Sequence, residues 1–133
     1  MLSGIAVSGQ AAAVTSMRSV FLKEGRERPV LRGHPWIFSG AIERVAEDSD
    51  EAGLADVFDA AGRWLARGLF SPKSQIRVRV LTASDEAIDH AFFAGRLARA
   101  SAWRKALLAP ATDAYRLING EGDFLPGLVV DRY

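Results

Sequence analysis

The chain of 133 residues contains no cysteine. That excludes a disulfide scaffold and every thiolate zinc site, and it fits a cytoplasmic, reducing setting. Only two histidines are present, His34 and His90, and they form no pair at metal-ligand spacing. No apolar run approaches the roughly 20 residues that cross a bilayer, so no membrane segment is expected. Residues 1–16 carry no charged side chain, so the basic region that opens a secretory signal is lacking too. Residues 1–17 read as a leader rich in Ala, Ser and Gly without fixed structure. Net charge is also scarce: 17 Lys and Arg face 16 Asp and Glu, a balance that by itself points to no partner.

What is present is sorted. Residues 43–59 hold seven acids against one base, Arg44. Residues 18–32 and 63–79 hold five bases each, against two acids and none. Such segregation gives one acidic loop and one basic face, and a basic face is the footprint of a phosphate-bearing partner. The length suits one domain, or a small domain with a fragment of another.

The densest stretch is Leu31-Arg32-Gly33-His34-Pro35-Trp36-Ile37-Phe38-Ser39-Gly40. Pro35 fixes its own φ and drives His34 to an extended conformation, so the chain bends there. Trp36, Ile37 and Phe38 supply apolar surface to pin the bend on a core, leaving Arg32 and His34 displayed. Before it, 18–23 alternates as a strand, and 24–29 reads as a polar turn. After it come strands at 37–45, 54–58, 63–70 and 75–81, with an acidic loop at 48–53. The last strand alternates cleanly: Ile76, Val78 and Val80 on one face, Gln75, Arg77 and Arg79 on the other. Five short strands at this spacing predict a small barrel or sandwich.

The period then changes. Thr82 and Asp85 have capping-box spacing, and 85–108 runs without proline as a helix of about 35 Å. Its apolar residues, Trp103 and Leu107 among them, cover a broad arc that predicts a helix clamped between packed units. Asp89 and Arg96 interrupt that arc and should have partners. Strands at 114–118 and 128–133 follow, with Asn119-Gly120-Glu121-Gly122-Asp123 between them. A lone hairpin is marginal, so this piece reads as the start of a domain that the chain does not complete.

Several chemistries fail on spacing. Gly120 and Gly122 lack the third glycine of a dinucleotide fingerprint, since Leu stands at 125, and no helix follows. No nucleophile elbow occurs. Glu121 and Asp123 read as solvated turn acids. The basic set is richer. Arg77 and Arg79 share a strand face about 6–7 Å apart. Arg63 and Arg67 flank Trp64, and Lys73 lies in the turn between those strands. This array suits phosphate contacts, and equally an ordinary solvated face. Trp36 is assigned to the core.

Four blocks carry a resemblance: Phe21-Leu22-Lys23-Glu24-Gly25-Arg26-Glu27, then Gly33-His34-Pro35-Trp36-Ile37-Phe38-Ser39-Gly40-Ala41-Ile42, then Gly68 to Arg79, and finally Asn119 to Tyr133 with Leu125-Pro126-Gly127-Leu128. In this order they resemble the ribosomal RNA large subunit methyltransferase I family. The resemblance implies a fold that is mainly β with α: a PUA-type RNA-binding β-barrel at 18–83, a linking helix at 84–109, and at 110–133 the incomplete β-hairpin of a second, α+β domain. It also implies that the complete family protein binds S-adenosylmethionine in a further domain and methylates C5 of a cytosine in ribosomal RNA. That reaction uses a cysteine nucleophile, so this chain alone is expected to have no activity and no cofactor. Phe124 departs from the family, which often has Gly there; at φ > 0 a Phe would strain the turn.

The resulting expectation is an RNA-binding module whose partner is ribosomal RNA, with Arg32, His34, Lys73, Arg77 and Arg79 as contacts. Phosphate roles fall to the four cations. A protein-interaction element stands beside this reading, either a homodimer or a surface for the missing catalytic domain. So does a truncated product without separate function.

Overall fold

A computed structural model describes residues 17–47, 49–108, 112 and 114–133. Except for Met17, the leader expected at 1–17 lies outside them. Two compact units form, one reaching Asp85 and the other starting at Glu86.

The first unit contains β1 (Arg18–Leu22), a short helix α1 (Glu27–Leu31), β2 (Trp36–Phe38), β3 (Ile42–Ala46), β4 (Gly53–Phe58), β5 (Trp64–Phe70) and β6 (Ile76–Thr82). The strands make one sheet in the order β2-β6-β5-β4-β1-β3. All pairings are antiparallel except β1 with β4. Val20 and Leu22 of β1, Val57 of β4, Phe70 of β5 and Val78 of β6 are at most 1% exposed, and they share one cluster with Ile37 of edge strand β2 and Val30 of α1. A core that collects residues from nearly the whole width of a sheet requires the sheet to curl. Each such side chain contributes on the order of 1.5–3 kcal/mol when fully buried. The expected barrel is therefore a curled, mainly β sheet with strand edges at β2 and β3.

Two expectations at its entrance need correction. Residues 24–29 are not wholly a turn, because α1 begins at Glu27. Pro29 lies in the first turn of α1, where backbone N–H groups have no intrahelical partner, so it does not break the helix. The single strand expected at 37–45 is two, β2 and β3, separated by a 3-10 turn at Ser39–Ala41.

The second unit contains α2 (His90–Leu108), β7 (Tyr115–Asn119), a 3-10 turn (Gly120–Asp123) and β8 (Val129–Arg132), with β7 and β8 antiparallel. The helix starts five residues later than the capping-box spacing predicts. Thr82 Oγ1 instead accepts the Ser84 N–H at 3.1 Å, a local turn, while Asp85 pairs with Arg67. Asp89 is the cap, its Oδ1 accepting the Phe92 N–H at 2.9 Å. Ala100 packs with Ile118 and Leu125, joined by Phe93, Leu117 and Val130. The expected broad apolar arc is not buried throughout: Trp103 is 60% exposed and Leu107 61%. Asp89 and Arg96 do have partners, as expected; Arg96 Nη1 donates to the Phe124 carbonyl at 2.5 Å.

Candidate nucleic-acid interface

The His-Pro-Trp corner is built by backbone geometry first. Gly33 has φ +87°, a left-handed conformation that ends α1 and turns the chain. The His34 N–H then donates to the Pro29 carbonyl at 2.9 Å. His34 Nδ1 accepts the Trp36 N–H at 3.1 Å, so in the neutral ring the proton sits on Nε2. Strand β2 is clipped to β6 and its leading turn by Val80 N–H to the Pro35 carbonyl and Ser39 N–H to the Gln75 carbonyl, both 2.8 Å. Only Ile37 of its three residues points inward.

Trp36 and Phe38 face out, which corrects their assignment to the core. Trp36 is 36% exposed and Phe38 48%. Trp36 stands edge-on to both neighbours, with centroids 6.2 Å from His34 and 6.4 Å from Phe38. These rings, with Arg26 and Val30, line a cavity of about 170 Å³. Arg26, placed in a polar turn by the sequence, was not singled out as a site residue, and Phe38 only as core; a helix starting at Glu27 and a three-residue edge strand bring them to the cavity.

The strand register supplies the cations. Arg79 of β6 pairs directly with Trp36 on one side and Leu69 on the other, so all three share a face. Arg77 lies two residues along on that face, its Nε donating to the Ser74 carbonyl at 3.0 Å. Neither arginine joins an ion pair among the described residues. Lys73 is exposed in the turn that Arg77 closes through its carbonyl, which accepts the Ser71 N–H at 2.9 Å. Asp50 shares a shallow concavity with Lys73. The structure thus aligns Lys73, Arg77 and Arg79 along one strand and its turn, and it joins His34 to them through Trp36. Arg32 is exposed at the C-terminus of α1, and it does not line the aromatic cavity.

The other half of the basic set is committed internally. Asp56 accepts Trp64 Nε1–H at 2.9 Å and Arg67 Nε–H at 2.7 Å, and Arg67 Nη2 reaches Asp85 at 3.1 Å. Hydrogen bonding by Asp56 holds the Arg67 guanidinium above its usual pKa despite burial. Asp59 Oδ1 accepts the N–H groups of Ala61 and Arg63, and its Oδ2 pairs with Arg63 Nε at 2.9 Å. The Arg63 N–H is the main cause holding the Asp59 carboxyl below its usual value. These partners lie 4–18 residues away, so composition alone cannot separate them from free cations.

The turn at Gly120–Asp123 offers no anion cradle. Its position is filled by the chain's own carboxylate, since Asp123 Oδ2 accepts the Asn119 N–H at 2.7 Å. Asp123 is therefore not solvated as expected; it forms a two-point pair with Arg104, both contacts 2.6 Å. Among the described residues no group of three His, Asp or Glu side chains could hold a metal. No described helix is long and apolar enough to cross a membrane.

Residues 20–83 match the family model of the PUA-like domain. Over 116 residues the chain is 48% identical to a ribosomal RNA large subunit methyltransferase I from Serratia proteamaculans, covering 86% of this chain and 29% of that protein. A protein of the same name from Klebsiella pneumoniae is 50% identical over 114 residues, covering 84% and 28%. A candidate SAM-dependent methyltransferase from Streptococcus mutans shares the fold with a TM-score of 0.72 at 18% identity, covering 86% of this chain and 30% of that one. The chain thus spans under a third of the length of these relatives.

Proposed function

Starting from the PUA-like domain at 20–83, we propose that the chain is the RNA-binding part of an S-adenosylmethionine-dependent ribosomal RNA methyltransferase. It holds ribosomal RNA in the bacterial cytoplasm so that a catalytic domain outside this sequence reaches a cytosine C5. One observation carries the reading: Trp36 lies exposed on the sheet face that carries Arg79, edge-on to the exposed Phe38 and beside a cavity bordered by His34. Flat rings and unneutralised guanidinium groups on one surface match the two parts of a nucleotide, base and phosphate. Arg77 and Arg79 take phosphates, and Lys73 extends the track. His34 presents its Nε2–H to a base or phosphate at the cavity, and Arg32 makes an outlying phosphate contact. The chemical step belongs elsewhere, because a chain without cysteine has no thiolate to add to the pyrimidine ring.

Trp36→Ala tests the stacking half of this assignment. Affinity for a ribosomal RNA fragment should fall about tenfold, within the range of about 1–3 kcal/mol per stacked base, while the salt dependence stays unchanged. Fluorescence anisotropy at several salt concentrations measures both. Unaltered affinity would remove Trp36 from the interface.

A further inference from the structure

The second unit displays an aromatic side chain at a cost in backbone energy. Phe124 has φ 58° and ψ 32°, left-handed values that disfavour a bulky residue by about 1–2 kcal/mol. Its side chain gains little burial in return, because Phe124 is 63% exposed. Strain held at an exposed ring is a feature of binding sites.

The surroundings of that ring are specific. Phe124 borders a concavity of about 220 Å³ shared with Arg96, Arg99 and Trp103. This is below the roughly 300–1,000 Å³ of sites that enclose drug-sized molecules, and it suits one ring system. Trp103 is 60% exposed. The Arg96 guanidinium stacks over Phe92 at 4.2 Å, lies 5.7 Å from the Phe124 ring centre and donates to the Phe124 carbonyl. Arg99 is exposed. Neither arginine forms an ion pair among the described residues. The one acid in the lining, Asp123, is taken by Arg104. The site therefore offers two exposed rings and two cations outside any close ion pair among the described residues, with Glu86 acting on Arg96 only through longer-range charge.

We propose that this concavity is a second RNA contact, which takes one unstacked base of single-stranded RNA against Trp103 and Phe124 and its phosphate on Arg99 and Arg96. The proposal rests on the RNA-binding reading of the first unit and adds a site that reading does not need. Charge favours RNA over an apolar peptide: a peptide segment would leave both guanidinium groups facing an uncharged surface, whereas a nucleotide brings its own anion.

Binding of the full chain to a fluorescein-labelled single-stranded RNA of about 12 nucleotides tests it. Phe124→Gly removes the ring and relieves the left-handed strain, so the thermal midpoint should hold or rise while affinity drops about tenfold. Trp103→Ala, at an exposed position, should weaken binding similarly without unfolding. Arg99→Ala should reduce the salt slope by about 0.7. Trp36→Ala is measured in parallel to keep the two readings apart. If the parent chain binds no RNA, the RNA reading falls and this proposal with it. If Trp36→Ala weakens binding but Phe124→Gly and Trp103→Ala bind within about twofold of the parent, this proposal alone is overturned. Loss of concentration-dependent self-association in sedimentation, with RNA affinity intact in both variants, would overturn it in favour of a protein surface.

Discussion

Gly68→Ala is expected to lower the melting temperature of the first unit by about 15 °C or more. The ladder between β5 and β6 is irregular at this point, pairing Arg67 with Thr82 but Gly68 with Val80. The irregularity brings the two backbones together. A Cβ on Gly68 would lie 2.9 Å from the Val80 Cα and closer still to the Arg79 carbonyl oxygen. Both obstacles are backbone, so no side chain can rotate away, and relief requires the strands to part. Overpacking of a core costs about 1–3 kcal/mol and sometimes more, and a wedge between paired strands belongs at the upper end. In a domain of this size each kcal/mol shifts the midpoint by about 4–8 °C. Gly40→Ala is the control, because no atom lies within 4 Å of its added Cβ and its φ is ordinary. Circular dichroism melts of the two variants decide the matter. Because β6 carries Arg77 and Arg79, Gly68→Ala should also lose RNA affinity under conditions where Gly40→Ala melts normally. A Gly68→Ala melt indistinguishable from that of Gly40→Ala would show that the strands separate freely.

Arg104→Ala is expected to speed hydrogen exchange of the β7 and β8 amides by about 30-fold or more at neutral pH, because it strands the Asp123 carboxylate. Arg104 ties α2 to the hairpin turn through both carboxylate oxygens, and its Nε also donates to the Arg116 carbonyl at 3.3 Å. The two side chains are 16% and 9% exposed, unlike the Arg116–Asp131 pair at 51% and 33%. Removing one partner of a buried pair costs about 3–5 kcal/mol; the residual exposure here brings the figure to about 2–3 kcal/mol. Among the described residues the apolar cluster it supports has Ala100, Ile118 and Leu125 buried, so that loss is a large share of the unit's stability. Arg104 holds the Asp123 carboxyl below its usual value, against the opposing effect of burial. The sign follows: stability from the pair is fully present above the unfolded carboxylate value near about pH 3.9, and is lost as pH falls through the lower folded value. Acidification below about pH 4 should loosen this unit in the parent and have a smaller effect in Asp123→Ala. Exchange rates in Arg104→Ala within about twofold of the parent would assign the pair no structural role.

The strands were legible because burial writes a period of two into β1, β4 and β5; in β6 it holds around Val78 and then breaks where Leu81 and Thr82 are both buried. Departures arose where local chemistry or distant partners overrode that pattern. A five-residue helix containing Pro29 leaves no periodic signal, and Thr82 makes a turn where its spacing suggests a helix cap. Trp36 and Phe38 were assigned to a core by residue type, yet β2 is a three-residue edge strand with one inward position. The candidate phosphate contacts on β6 follow directly from alternation. Arg67 could not be separated from them, since its partners Asp56 and Asp85 meet it only through folding. Asp123 was invisible for the same reason: Arg104 approaches it from α2. Phe124 was the exception. The resemblance implies a glycine there and so a left-handed position, and the structure has that conformation at Phe124.

The account turns on the charged face of β6, and a salt titration of RNA binding tests it most directly. Affinity of the parent chain and of the Arg77→Ala, Arg79→Ala double variant for a ribosomal RNA fragment is measured across salt concentrations. Two lost phosphate contacts predict that the slope of log affinity against log salt shrinks by about 1.4–1.8 and that affinity at low salt drops at least tenfold. Equal slopes and equal affinities for the two proteins would contradict the assignment of this face to RNA.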